Sequence, residues 1–249
     1  MTRSLILLSF LFITNYFFAS DKKKILFDES HGQIFTINQT GDLQLSKLSA
    51  IFKNKGWEVN TCSSEITDEM LKGVDALIIS GAFKPFSQPE IETIVRFIKN
   101  GGKLSIMLHI GPPVADLLHD LHVSISNGVI HETENIINNN DLDFNVTQLE
   151  KHSLLKGLKQ LSVFGGWALL PTDETVKIIA QTQDKSWIDL NRNKIFNEGD
   201  AQQSFAIIVS GSVDIGKFVV FADDAIFQNR FLETHNSKLG SNLEKWLKN

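Results

Sequence analysis

The chain has 249 residues, of which 42% are hydrophobic and 21% charged, a globular balance that argues against disorder and suffices to bury a large core without metals or disulfides. Acidic residues outnumber basic ones, 29 to 24, for a formal net charge of −5. No basic stripe of the kind a phosphate backbone requires is present, so nucleic acid is not an expected partner. Cys62 is the only cysteine, which rules out an internal disulfide.

At the N-terminus Arg3 precedes an apolar run over residues 5–18, then Ala19, Ser20 and the polar cluster Asp21-Lys22-Lys23-Lys24. That is the layout of a secretory signal peptide, and the run is shorter than the roughly 20 residues that cross a bilayer. Residues 1–20 are therefore expected to direct export, periplasmic or extracellular, leaving 21–249 as one domain. Phe17 and Phe18 fit the −3 position of a cleavage site poorly. A retained membrane anchor is the competing reading, and the only one that brings in a membrane.

From Lys24 onward short apolar runs alternate with helical periods. Residues 24–27 read as a buried first strand ending at Asp28. Leu43, Leu45, Leu48, Ile51 and Phe52 follow at helical spacing and stop at Gly56. Strands are predicted at 57–60 and 74–79, the latter leaving through Ser80-Gly81. Ser87, Pro89 and Glu90 open a helix carrying Ile91, Ile94, Val95, Phe97 and Ile98. Asn100-Gly101-Gly102 ends it, and because a strand follows at 103–108 the glycines read as a helix stop, not a phosphate cradle.

The pattern weakens over 124–151, with a turn at 138–141. Strands return at 158–164, 176–181, 205–210 and 217–222, of which the second and third suit an antiparallel extension. A helix over 236–247 closes the chain. Single helices between nearly continuous apolar strands imply a doubly wound, mainly parallel α/β sheet.

The segment Phe27-Asp28-Glu29-Ser30-His31-Gly32-Gln33 resembles the opening of glutamine-amidotransferase-like domains that lack catalytic function, as in gliding-motility and intraflagellar-transport proteins and a bacterial domain of unknown function. Residues 75–81, Pro85-Phe86-Ser87 with Glu90, 99–104, the turn 152–157, and Ala222-Asp223-Asp224 followed by Asn229 are similar in the same order. The resemblance implies a flavodoxin-like, class I glutamine-amidotransferase-like fold. In active members a cysteine stands on the turn after the strand matching 104–108. Here that turn reads Leu108-His109-Ile110-Gly111-Pro112-Pro113 and offers no Cys, Ser or Thr, which excludes a glutaminase triad; Cys62 lies after the second strand and does not replace it.

Parallel sheets bind ligands at the carboxyl ends of their strands. The candidate binding residues there are Asp28, Ser30 and His31, then Gly81 and Phe83, His109 and Gly111, and finally Asp223, Asp224 and Asn229. Each has a plainer reading as a turn or helix cap. His119 and His122, and the rings of Trp167 and Trp187, read more simply as a helix end and as core or rim. No cofactor is implied. If Asp28, His31 and Asp223 converge on a ligand, Asp28→Ala and His31→Ala should weaken binding at little cost in stability; as caps they should cost about 0.5–2 kcal/mol.

Three functions fit these residues. One is a non-enzymatic, exported binding or scaffold domain with a degenerate cleft, whose partner is a small molecule, a glycan or a protein. Another is a metal-dependent hydrolase using Asp28, His31, His109 and Asp223. The last is an accessory subunit of a membrane transport or export complex.

Overall fold

The computed structural model describes residues 22–249; the expected signal segment at 1–20 lies outside them. Among the described residues no helix is long and apolar enough to cross a membrane. The elements of the first half are β1 (Lys24–Asp28), α1 (Ser46–Asn54), β2 (Glu58–Cys62), α2 (Asp68–Leu71), β3 (Ala76–Ser80), α3 (Gln88–Lys99), β4 (Lys103–Met107) and α4 (Ala115–Asp120). Then come β5 (Val123–His131), β6 (Ile136–Ile137), β7 (Asn140–Val146), β8 (Gln148–Leu149), β9 (Leu161–Phe164), β10 (Trp167–Pro171) and β11 (Lys177–Gln181). The chain ends with β12 (Trp187–Ile188), β13 (Ala201–Gln202), β14 (Ala206–Val213), β15 (Gly216–Phe221), α5 (Asn229–Phe231) and α6 (Ser237–Lys248).

Five strands pair in parallel in the spatial order β2-β1-β3-β4-β15. Strand β3 is buried along its whole length, and β1 from Ile25 to Asp28, as strands covered on both faces must be. Helices α1 and α6 pack together, and α3 packs with α2 and α4. Beyond β15 the sheet turns antiparallel through β14, β10 and β5, and β11 pairs with β14 as expected. The fold is thus mixed α/β with a large, partly parallel sheet. Phe27, Phe52, Phe218, Phe221 and Phe227 are fully buried.

The start of the first helix differs from expectation for a local reason. The first helix begins at Ser46, not near Leu43, which is 45% exposed. Leu45 at its N-cap has no side-chain acceptor, and Asn229 supplies one from afar: its Oδ1 accepts from the backbone N–H of Lys47 at 2.8 Å, a donor left free in the helix's first turn. The weakly patterned stretch 124–151 holds four strands, β5 to β8. The predicted turn falls between β6 and β7, where Asn138 and Asn139 both take positive φ, 53° and 59°, as a tight hairpin requires.

Candidate functional site

The turns that leave β1, β3, β4 and β15 carry the predicted residues, and the structure sorts them into separate groups. The first is built around His31. Its Nδ1 lies 2.8 Å from Asp28 Oδ2 and its Nε2 lies 3.2 Å from Glu90 Oε1. The imidazole is stacked on Phe86, centroids 3.6 Å apart and planes 20° from parallel. Asp28 Oδ1 accepts from the N–H and hydroxyl of Ser30 at 3.0 and 2.6 Å, and its Oδ2 also accepts from Gln33 Nε2 at 2.6 Å. Glu90 Oε1 accepts from the Ile66 N–H, and its Oε2 from the N–H and hydroxyl of Ser87. Every carboxylate oxygen in the group is therefore paired.

These contacts shift the ionisation of all three groups. Burial alone would lower the pKa of His31, but the hydrogen bonds and charges of Asp28 and Glu90 outweigh it and raise the imidazole above its usual 6.5. Burial likewise opposes ionisation of Asp28 and Glu90; His31 for the first, and the Ser87 and Ile66 donors for the second, hold both below the ordinary carboxylate range. Asp28, His31 and Glu90 are 3%, 4% and 3% exposed. The group is a closed carboxylate–imidazole–carboxylate bridge between β1 and the start of α3.

The second group gathers around His109. Its Nδ1 sits 3.1 Å from Asp224 Oδ1, and its ring lies between Phe35 and Phe83, at 5.2 and 5.1 Å. The hydrogen bond to Asp224 raises the His109 pKa against the opposing effect of burial. The side chain is 36% exposed while that of Asp224 is 1% exposed. Burial pushes Asp224 upward, and its buried Oδ2 has no hydrogen-bond partner among the described residues. That oxygen faces Gly81, where φ is +62° and a Cβ would stand 2.6 Å from it. Gly81→Ala is thus expected to cost about 1–3 kcal/mol from the left-handed backbone alone, with the contact adding to it. Chemical denaturation measures the loss, and an alanine variant as stable as the parent would refute this packing.

The remaining candidates serve the chain itself. Asp223 accepts from the backbone N–H of Phe164 at 2.7 Å and of Ala225 at 2.8 Å, and burial with the neighbouring Asp224 charge drives its pKa well up. Among the described residues no hydrogen bond or ion pair joins it to Asp28 or His31. Asn229 secures α1, and Gly111 is pressed against Ile125 so closely that a Cβ has no room. Trp167 is half-buried and its Nε1 donates to the His109 carbonyl at 3.1 Å; Trp187 is buried and stacked on His131. Sequence reading missed Gln33, Phe35, Phe86 and the second role of Glu90. The Ser87-x-x-Glu90 spacing was visible as a helix start, but its link to His31 is made only by the fold.

Cys62 ends β2 with its Sγ 3.8 Å from the Phe27 carbonyl oxygen and 3.7 Å from Asp28 Oδ1. Burial, then the Asp28 charge, pushes its thiol up to about 12. A thiol so placed stays protonated at neutral pH and is inert.

Residues 24–113, which hold β1 to β4 and the His31 group, match the family model described as the IFT52 GIFT domain. The intraflagellar transport protein 52 homologs of Mus musculus and Homo sapiens are 31% and 30% identical to it over 87 residues, 35% of this chain. The chain aligns with about a fifth of their length, 19%. Among solved structures, the mmIFT52 N-terminal domain superposes with a TM-score of 0.72 at 19% identity, covering 90% of this chain and 97% of that one. A putative ThuA-like protein from Bacteroides uniformis gives 0.54 at 13% identity, covering 95% of each chain. The expectation of export to a periplasmic or extracellular location is corrected by these matches: the sequence relatives are intraflagellar transport proteins, which are cytoplasmic or ciliary and not exported.

Proposed function

We propose that the chain is a non-enzymatic scaffold domain of the intraflagellar-transport type, with a protein as its partner. It is built on a doubly wound, flavodoxin-like version of the glutamine-amidotransferase-like fold, which the parallel order β2-β1-β3-β4-β15 supports. The observation that carries the reading is the closed bridge at His31. In an enzyme of this fold the strand ends stay open to substrate; here Asp28, His31 and Glu90 spend their hydrogen bonds on one another and on the backbone. The strand-end cleft is degenerate in that sense, and the relatives' naming as transport proteins favours a protein over a small molecule or glycan.

Metal-dependent hydrolysis draws no support from the same geometry. Asp28 and Asp223 have their oxygens occupied by protein donors in different groups, and no cluster of three or more His, Cys, Asp or Glu suited to a metal occurs among the described residues. The reading predicts no ammonia release from glutamine and no loss of partner binding when Cys62 is replaced by alanine. With its pKa near 12, Cys62 should react with iodoacetamide on the order of a thousandfold more slowly in the folded chain than in the unfolded one. Ammonia released faster than in buffer, and abolished by Cys62→Ala, would overturn the proposal.

A further inference from the structure

Because β1, β2, β3, β4 and β15 run parallel, every segment that enters them arrives at one end of the sheet, opposite the turns that carry His31 and His109. That end is rich in lysine although the chain as a whole is acidic, with 29 acidic residues against 24 basic ones. Lys22 and Lys23 lead into β1 and Lys24 begins it; Lys55 precedes β2, Lys103 begins β4, and Lys217 lies at the start of β15. We infer that this amino-terminal end of the sheet is a docking surface for an anionic lipid bilayer, an assignment independent of the scaffold reading.

Lys103 and Lys217 stand directly opposite each other in register, where like charges repel. Neither forms an ion pair among the described residues. The Lys217 ammonium rests over the Trp246 ring, 4.4 Å from its centroid. Both lysines are half-buried. Burial, then the charge of Lys23 on Lys103 and of Lys103 on Lys217, lowers the pKa of each. Carboxylates at this end are few and mostly engaged. Asp75 accepts from Lys23 Nζ at 2.7 Å and from the Lys24 N–H at 2.8 Å, Glu58 lies 4.0 Å from Lys24 Nζ, and the buried Glu244 accepts from Trp57 Nε1. Lysines in the last turns of α1, α3 and α6 complement the helix dipoles. Those on the strands have no such duty and leave positive charge uncompensated.

The sequence that leads into this end selects a lipid surface among anionic partners. The apolar run of residues 5–18 stops four residues before Lys22, so at most about 14 Å of extended chain separates it from the lysines. The run is shorter than a bilayer crossing requires. A single apolar anchor holds a protein to a membrane only marginally, and stable attachment takes a second signal such as a polybasic patch. The cytoplasmic leaflet supplies the complementary charge, since its anionic lipids attract each lysine brought near the surface. A soluble acidic protein would make no use of an apolar run beside the lysines.

Co-sedimentation of the full chain with vesicles tests this, using phosphatidylcholine alone and phosphatidylcholine with about 30% phosphatidylserine. Binding to the anionic vesicles is expected to be at least about tenfold tighter. It should be lost in about 1 M sodium chloride, where the screening length falls to about 3 Å. The double substitution Lys103→Gln, Lys217→Gln should weaken it about fivefold per lysine and leave binding to neutral vesicles unchanged. Equal binding to both vesicle types, no binding to either, or full binding by the double variant overturns the assignment. Soluble polyglutamate that displaces the chain from the vesicles at equal charge would assign the surface to an acidic protein and overturn it too. If the double variant fails to fold by circular dichroism, Lys22→Gln with Lys24→Gln, at exposed positions, decides in its place.

Discussion

Asp28→Ala and Glu90→Ala are each expected to destabilise the chain by about 3–5 kcal/mol, the cost of leaving one partner of a buried ion pair without its counter-charge. This exceeds both the negligible cost of a free ligand-binding carboxylate and the 0.5–2 kcal/mol or so of a simple cap. The reason is that His31 lies between two carboxylates at 2.8 and 3.2 Å and is 4% exposed. Removing either leaves buried donors unsatisfied, including the N–H groups of Ser30 or of Ile66 and Ser87. Asp28→Asn, which keeps an acceptor, should cost less than Asp28→Ala. Urea unfolding of the three variants beside the parent measures the effect, and a loss below about 1 kcal/mol for both alanine variants would mean the bridge is not formed in solution.

The bridge also sets a pH signature. His31 is raised above 6.5, so its contribution is complete below that value and is lost as pH climbs through the higher folded pKa. Asp28 and Glu90 are held below 3.8 and 4.5, so theirs is complete above those values and is lost as pH falls through the lower folded ones. The stability gap between the parent and Asp28→Ala should therefore be widest between about pH 4.5 and 6.5 and narrow on both sides. A gap that widens steadily toward alkaline pH would contradict the assigned charges.

Gly216→Ala is expected to cost about 4 kcal/mol or more, placing it among the exceptional single substitutions. Gly216 opens β15 after the turn at Asp214-Ile215, and a Cβ there would fall on the Ile98 carbonyl oxygen and 2.6 Å from that of Gly102. Both obstacles are backbone at the end of α3, so no side chain can swing aside; strand and helix would have to separate. The pairing at stake, β15 with β4, is the one that carries Asp223 and Asp224 to the strand ends. Ile215→Ala, at a side chain 82% exposed beside it, should change stability by no more than about 0.5 kcal/mol. Thermal unfolding distinguishes the two, and a Gly216→Ala chain melting with its parent would show that the close approach is relaxed in solution.

The sequence by itself determined the parallel half of the molecule. Strands β1, β3, β4 and β15 are buried on both faces, so each must be a nearly unbroken apolar run, and such runs are legible without knowing their neighbours. The start of α3 was legible too, because Ser87 and Glu90 satisfy each other within one turn. The absence of a nucleophile after β4 needed only the letters His109-Ile110-Gly111. What tertiary structure alone decided are the pairings that span long stretches of chain. Strand β5 mixes Val123, Ile125 and Ile130 with Ser124, Ser126, Asn127 and Gly128, and its partners β10 and β12 lie far along the sequence. Glu90 reads as a helix cap until the fold sets His31 against its other face. Asn229 reads as a cleft residue until α1, begun on a leucine with nothing to cap it, is found to need its oxygen. A local pattern records which face of an element is apolar; which buried polar atom meets which is settled only when the chain closes and every donor taken from water must find an acceptor.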